Sequence, residues 1–227
     1  MIPLRDHNPT VLWPIITVSL IIANAVVFMY ELSLGPRLLE SFIYQMGMVP
    51  ASILQAQIPG TGGYSTVITS MFLHGGWLHL IGNMLYLWIF GNNIEDSMGH
   101  LRFIVFYLLA GLAAAAAHLA FNPTSTVPTI GASGAVSGVL GAYLVLFPHA
   151  RIETLVTFGW FIRIVLLPAW VLLIFWIGLQ FLYQLLEPID PMAGGVAYAA
   201  HIGGFVAGVL LIPLFRKYRR KAYFKYH

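Results

Sequence analysis

The sequence predicts an all-α polytopic membrane protein, a bundle of six transmembrane helices making one domain over residues 1–227. Three observations lead there. Hydrophobic residues make up 59% of the 227 positions, charged residues only 8%, and the mean hydropathy is +0.83, whereas soluble domains carry about a quarter charged residues. Six apolar segments approach or reach the about 20 residues that a membrane helix needs. The basic residues gather on one side of those segments, as they do around membrane spans.

The spans run over about 14–31, 77–94, 101–121, 133–147, 168–186 and 196–215. Pro14 and Pro168 suit a first helical turn, where the missing amide proton costs nothing. Ala23-Asn24-Ala25 mimics a signal-peptidase site, but the apolar run continues through Val26, Val27, Phe28 and Met29, so no cleavage is expected. The long connection 32–76 holds an apolar-periodic piece near 38–48 and then Gly60-Thr61-Gly62-Gly63, which predicts interfacial helix and turns. Asn122-Pro123, Val127-Pro128 and Glu187-Pro188 read as loop. The fourth span is short. Segment 154–167 is apolar but contains Arg163 and precedes Pro168, so it is expected to lie along the inner surface.

Orientation follows from the cations. Arg216, Lys217, Arg219, Arg220, Lys221 and Lys225 crowd a basic tail, 216–227, directly after an apolar run. Such a cluster sits on the cytoplasmic side against anionic lipid, so membrane lipid rather than nucleic acid is the expected partner. Six crossings then place the 1–13 tail inside as well, with Arg5, Arg102, Arg151 and Arg163 in inner segments and only Arg37 outside. The expectation is a multi-pass protein of the plasma or inner membrane with both termini cytoplasmic.

Spans two, four and six all begin at the outer face in this topology. His79 and Asn83 lie in the first turns of span two, Ser133 opens span four, and His201 lies a few residues into span six. At 1.5 Å per residue, all four fall within about 10 Å of one depth. Span four carries ridges of small residues, Ser133, Ser137, Gly141 and Gly134, Gly138, Ala142. Span six carries Ala199, Gly203, Ala207 and Ala200, Gly204, Gly208. Small residues at this spacing let two membrane helices approach backbone to backbone, and if these faces meet, Ser133 comes close to His201. Such ridges are also common helix glue, and a serine that opens a helix is commonly a cap. An imidazole inside a membrane, by contrast, is costly and functional by default.

Serine and histidine at one level permit nucleophilic acyl transfer: imidazole takes the hydroxyl proton, the oxygen attacks a peptide carbonyl, and imidazole returns the proton to the leaving amine. No carboxylate shares that depth. Glu187 and Asp190 fall in a loop, and Glu95 and Asp96 at the inner end of span two, so a dyad rather than a triad is expected. The unpaired amides at the start of the serine helix, with side chains from His79 and Asn83, could hold an oxyanion. His74 lies outside the span and is given no catalytic role. Other chemistries lack their residues. There is no Cys and no HExxH, and no pair of aspartates lies within spans, so neither a metal nor another cofactor is expected.

In these residues the chain resembles the rhomboid family of intramembrane serine proteases. The matching stretches are His74-Gly75-Gly76-Trp77-Leu78-His79 with Asn83, Gly131-Ala132-Ser133-Gly134, and Ala200-His201-Ile202-Gly203-Gly204 with Gly208, in family order across six spans. The resemblance implies Ser133 as nucleophile, His201 as base, His79 with Asn83 at the oxyanion hole, and transmembrane proteins as substrates. It also implies that the first loop is a wedge in the outer leaflet and that 187–198 is a mobile cap hinged at Gly194-Gly195. Two positions depart from the pattern. Ser137 stands where many members have an aromatic residue packed on the catalytic imidazole, so the sequence leaves open what orients His201, and Ser65-Thr66 stand where many have Trp-Arg. The alternatives are an inactive family relative that binds membrane proteins, which would usually lack the serine or histidine, and a transporter, which would show internal repeats and a polar path through both leaflets.

Overall fold

A carboxylate at the foot of one helix fixes the start of another. In the computed structural model, which describes residues 1–55, 57–158, 160–186 and 195–217, helix α1 (Ile15–Ser33) starts directly after Pro14. Its first-turn amides need acceptors, and Glu95 of α5 (Trp77–Met98) supplies them. The Glu95 carboxylate accepts from the N–H groups of Ile16 and Thr17 and from the Thr17 hydroxyl at 2.9, 2.8 and 2.7 Å. Negative charge at a helix N-terminus also meets the positive end of the helix dipole, which helps to hold the Glu95 carboxylate in its fully buried place. Gly99, at φ +81°, turns the chain between α5 and α6 (His100–Phe121) in a conformation that a side chain would strain.

The first loop forms a helix over the apolar-periodic piece near 38–48 and further short helices beyond it. Helix α2 (Pro36–Met46) buries none of its residues and is followed by α3 (Pro50–Leu54), α4 (Thr66–Thr69) and a 3-10 turn at Ser70–Phe72. Met48 and Thr129 exchange backbone hydrogen bonds at 3.0 and 2.8 Å, tying this loop to the segment before α7 (Ser133–Leu146). Thr66 donates its hydroxyl to the Gly63 carbonyl at 2.7 Å, a local turn where many relatives would carry the Trp-Arg pair.

Helix α7 is the centre of the core, with 10 of its residues buried. It packs against α6 and against α9 (Tyr198–Phe215) through bare backbone. A Cβ at Gly204 would overlap the Gly134 carbonyl, one at Gly208 the Gly138 carbonyl, and one at Gly141 the Phe205 carbonyl. The expected ridges therefore do meet, with one redistribution: the Gly203 face of α9 lies against Ala113, Ala114 and Ala117 of α6 rather than against α7. Below this wedge, Phe90, Tyr107, Leu140 and Tyr143 are buried together.

One element departs from the all-α expectation. Segment 154–167 belongs to a β-hairpin, strands β2 (Arg151–Phe158) and β3 (Phe161–Pro168), and the N-terminal segment adds β1 (Ile2–Asp6) to give an antiparallel sheet in the order β1-β2-β3. Ile152 and Thr154 turn one face of β2 into the protein with no exposed surface, the period-2 burial of a half-covered strand. A register shift between Pro3 and Arg5 bends β1 and brings the Asp6 carboxylate to Asn93 Nδ2 and the Tyr143 hydroxyl, which donate at 2.5 and 3.1 Å. Burial raises the Asp6 carboxyl above its ordinary range, and the two donors oppose that shift.

Among the described residues, α1, α6, α9 and α8 (Ala169–Leu186) are long and apolar enough to cross a membrane. Helix α7 has only 14 residues, and α5 has 22 but carries Asn83, Asn92, Asn93, Glu95 and Asp96. Of the expected cap 187–198, residues 187–194 with Gly194 lie outside the described residues, as does the tail beyond Lys217.

Candidate active site

Ser133 is the first residue of α7, reached from Gly131, whose φ of +121° swings the chain into the helix. His201 is the fourth residue of α9. Where α9 crosses α7 at bare backbone, the Ser133 Oγ and His201 Nε2 are 2.8 Å apart, within hydrogen-bond distance. The hydroxyl and imidazole that the sequence predicts to approach are therefore in contact.

The other ring nitrogen has a partner that the sequence reading missed. His201 Nδ1 lies 2.8 Å from Gln180 Oε1 on α8, and Gln180 is buried. One turn earlier on the same helix, the Trp176 ring lies against the imidazole, centroids 5.8 Å apart and planes inclined by 34°, while Tyr198 meets it edge-on at 6.5 Å. Ser137 instead donates its hydroxyl to the Ser133 carbonyl at 2.6 Å. The aromatic contact absent from α7 is thus supplied from α8. A search for Asp and Glu passes over a glutamine, and the only sequence signal is a polar residue within an apolar span.

His79 and Asn83 sit on one face of α5, beside the backbone that precedes the serine. A Cβ at Gly131 would meet His79 Nε2 at 2.6 Å and lie 3.6 Å from Asn83 Nδ2, so glycine is required there for close approach as well as for its φ. The Gly75 N–H donates to His79 Nδ1 at 3.3 Å, which leaves the ring proton of neutral His79 on Nε2, toward Gly131. Asn83 Nδ2 is 3.0 Å from His74 Nε2. His74 is deeply buried, and burial, aided by its neighbour His79, holds its imidazole down at about 4. It is therefore neutral near pH 7 and accepts from the Asn83 amide. The sequence reading gave His74 no role; it fixes the side chain of Asn83. The His74 backbone N–H is held in turn by the Glu31 carboxylate at 3.3 Å.

Ser133, His201, His79 and Asn83 open onto one cavity of about 1220 Å³, larger than the sites that hold single small ligands. Leu78, Val136, Leu140 and Trp176 give it apolar walls, and 121–130 forms a rim. His118 of α6, also unremarked in the sequence, lines it and bonds Thr129 Oγ1 through Nε2 at 2.8 Å. Among the described residues no cluster of His, Asp or Glu has the arrangement of a metal site.

Comparison with known proteins identifies the family. Residues 61–218 match the family model described as the Rhomboid domain. The chain is 34% identical to Rhomboid protein 1, mitochondrial, of Saccharomyces cerevisiae over 152 residues, covering 64% of this chain and 40% of that protein. It is 32% identical to Rhomboid protease GluP of Bacillus subtilis over 147 residues, covering 65% and 25%, and 26% identical to Rhomboid protease AarA of Providencia stuartii over 218 residues, covering 86% and 70%. The chain thus spans less than half the length of the first two. A family model matched over more than half of the chain, around a paired serine and histidine, places the chain in the rhomboid family.

Proposed function

We propose that this integral membrane protein is a serine endopeptidase that cleaves transmembrane proteins in or near their spans, with Ser133 as nucleophile and His201 as base. The observation that carries this reading is the 2.8 Å contact between Ser133 Oγ and His201 Nε2 at the wall of a large cavity. His201 Nε2 takes the Ser133 proton as Oγ attacks the scissile carbonyl, forming a C–O bond and placing negative charge on the carbonyl oxygen. That oxyanion is met by His79 Nε2–H, the Asn83 amide and the free N–H groups opening α7. Collapse breaks the C–N bond, and His201 gives its proton to the departing amine. Water, activated by the same imidazole, then releases the acyl group.

In this reading α1, α5, α6, α7, α8 and α9 are six crossings of one domain, with both termini in the cytoplasm and the cavity opening outward. The asymmetry of Arg and Lys supports that orientation. Substrate must offer exposed backbone, so a span with an easily unwound stretch of small residues is the fitting class. An inactive relative that merely binds membrane proteins would have no use for a paired hydroxyl and imidazole.

The test is labelling of detergent-solubilised protein by a fluorophosphonate, followed by mass spectrometry of products from co-expressed single-pass membrane proteins. Wild type is expected to be labelled at Ser133 and to cut; Ser133→Ala is expected to do neither. Wild type that folds yet resists labelling, or Ser133→Ala that still cuts, would refute the assignment.

A further inference from the structure

A serine protease histidine must carry its proton on the nitrogen remote from the serine, and in triads a carboxylate enforces this. Here, among the described residues, no carboxylate meets the imidazole, and the tautomer is set by an amide whose own orientation is fixed. Gln180 Nε2 donates to the Trp176 carbonyl one turn back at 3.3 Å. With its NH2 group committed there, the amide oxygen is left facing His201 Nδ1 at 2.8 Å, and an oxygen can only accept. Nδ1 must therefore bear the proton, and Nε2 presents its lone pair to the Ser133 hydroxyl. Turned over, the amide would force the opposite tautomer, with Nε2–H donating to Oγ and no base available.

We propose that Gln180 is a positioning residue that, with Trp176, makes His201 a competent base, so that the site works as a Ser-His-Gln relay with a neutral third member. This rests on the proteolytic reading above and deepens it. Trp176 has two parts in the arrangement: its carbonyl orients the amide, and its ring lies against the imidazole. A neutral acceptor suits the location. It fixes the tautomer without the cost of an ionised carboxylate deep in a membrane protein.

The relay predicts an ordering of variants that packing alone would reverse. Gln180→Leu keeps the bulk and removes the acceptor; kcat should fall about 10- to 100-fold with KM within about twofold, milder than the about 10⁴-fold loss when a triad's tautomer is inverted. Gln180→Glu restores an acceptor and should recover most of that loss. In ¹⁵N spectra of ring-labelled protein, wild-type His201 should carry its proton on Nδ1, and Gln180→Leu should show a mixture or the other tautomer. Folded Gln180→Leu with wild-type kcat, or wild-type His201 protonated on Nε2 at rest, would overturn the proposal, as would Gln180→Glu being slower than Gln180→Leu. If Gln180→Leu does not fold, the wild-type tautomer and the Gln180→Glu rate still decide. Wild type with the Nδ1 tautomer that resists fluorophosphonate would instead sink the protease reading and leave the hydrogen bond standing.

Discussion

Replacing Gly204 by alanine adds one methyl group where α9 crosses α7, and the structure sets its effect. The new Cβ would stand 3.0 Å from the carbonyl carbon of Gly134, with that carbonyl's oxygen closer still. Carbon atoms rest at about 3.5–4.0 Å and the nearer oxygen demands a larger movement still, so the helices must part by about 1 Å or more. Backbone, unlike a long side chain, has no rotamer with which to yield. Gly134 directly follows Ser133, so the same displacement stretches the 2.8 Å Ser133–His201 contact to about 3.8 Å or more, beyond the limit of a useful hydrogen bond. Overpacking of this kind costs about 1–3 kcal/mol of stability, and a misplacement near 1 Å costs up to about 10²-fold in rate. The assay compares the thermal midpoint in detergent with the initial rate on a transmembrane substrate in liposomes. Gly178→Ala on α8 is the control, since a Cβ there meets nothing within 4 Å. Gly204→Ala at full activity, or Gly178→Ala equally impaired, would refute the claim that backbone contact between α7 and α9 sets the dyad distance.

Two further outcomes are expected. Asn83→Ala should lower kcat about 10²-fold by removing an oxyanion donor, and His74→Leu about 10-fold, because His74 acts through the Asn83 amide. In single-turnover rates the double variant should be no worse than Asn83→Ala, and additive losses would break that connection. Asp6 gives a pH signature: its folded-state carboxyl sits above the ordinary range, so its share of stability is fully present at low pH and is lost as pH rises through the raised value. Asp6→Asn keeps an acceptor for Asn93 and Tyr143 and should flatten the acid side of the thermal-midpoint profile, whereas an unchanged profile would mean that Asp6 ionises freely.

The helices were legible because an apolar run must cover its backbone polar groups, and little else satisfies them in lipid. The α7–α9 crossing was legible for a related reason: bare glycine ridges need no rotamer to be known. The sheet was not. Strand β2 does alternate, with Ile152 and Thr154 inward between Arg151 and Glu153, but over too few residues to stand out in so apolar a chain, and β3 is an almost unbroken apolar run that periodicity cannot assign. At the candidate site, Ser133, His201, His79 and Asn83 could be read from type and depth. Gln180 and Trp176 could not, because their contribution lies in which atom faces which, and amides carry no charge to betray them. His74 was passed over for its position outside a span, although its contact with Asn83 bridges only nine residues.

The brevity of α7 has a consequence for the solvent. Fourteen residues give about 21 Å of helix, some 9 Å less than the about 30 Å hydrocarbon thickness of a bilayer. Ser133, the proposed nucleophile at the start of so short a rod, stands in the wall of a cavity bordered by the connecting segment before α7. In the proposed hydrolysis each peptide bond cut consumes one water molecule, and the missing turns of helix would give that molecule a way down while the neighbouring longer rods keep their oily sheath.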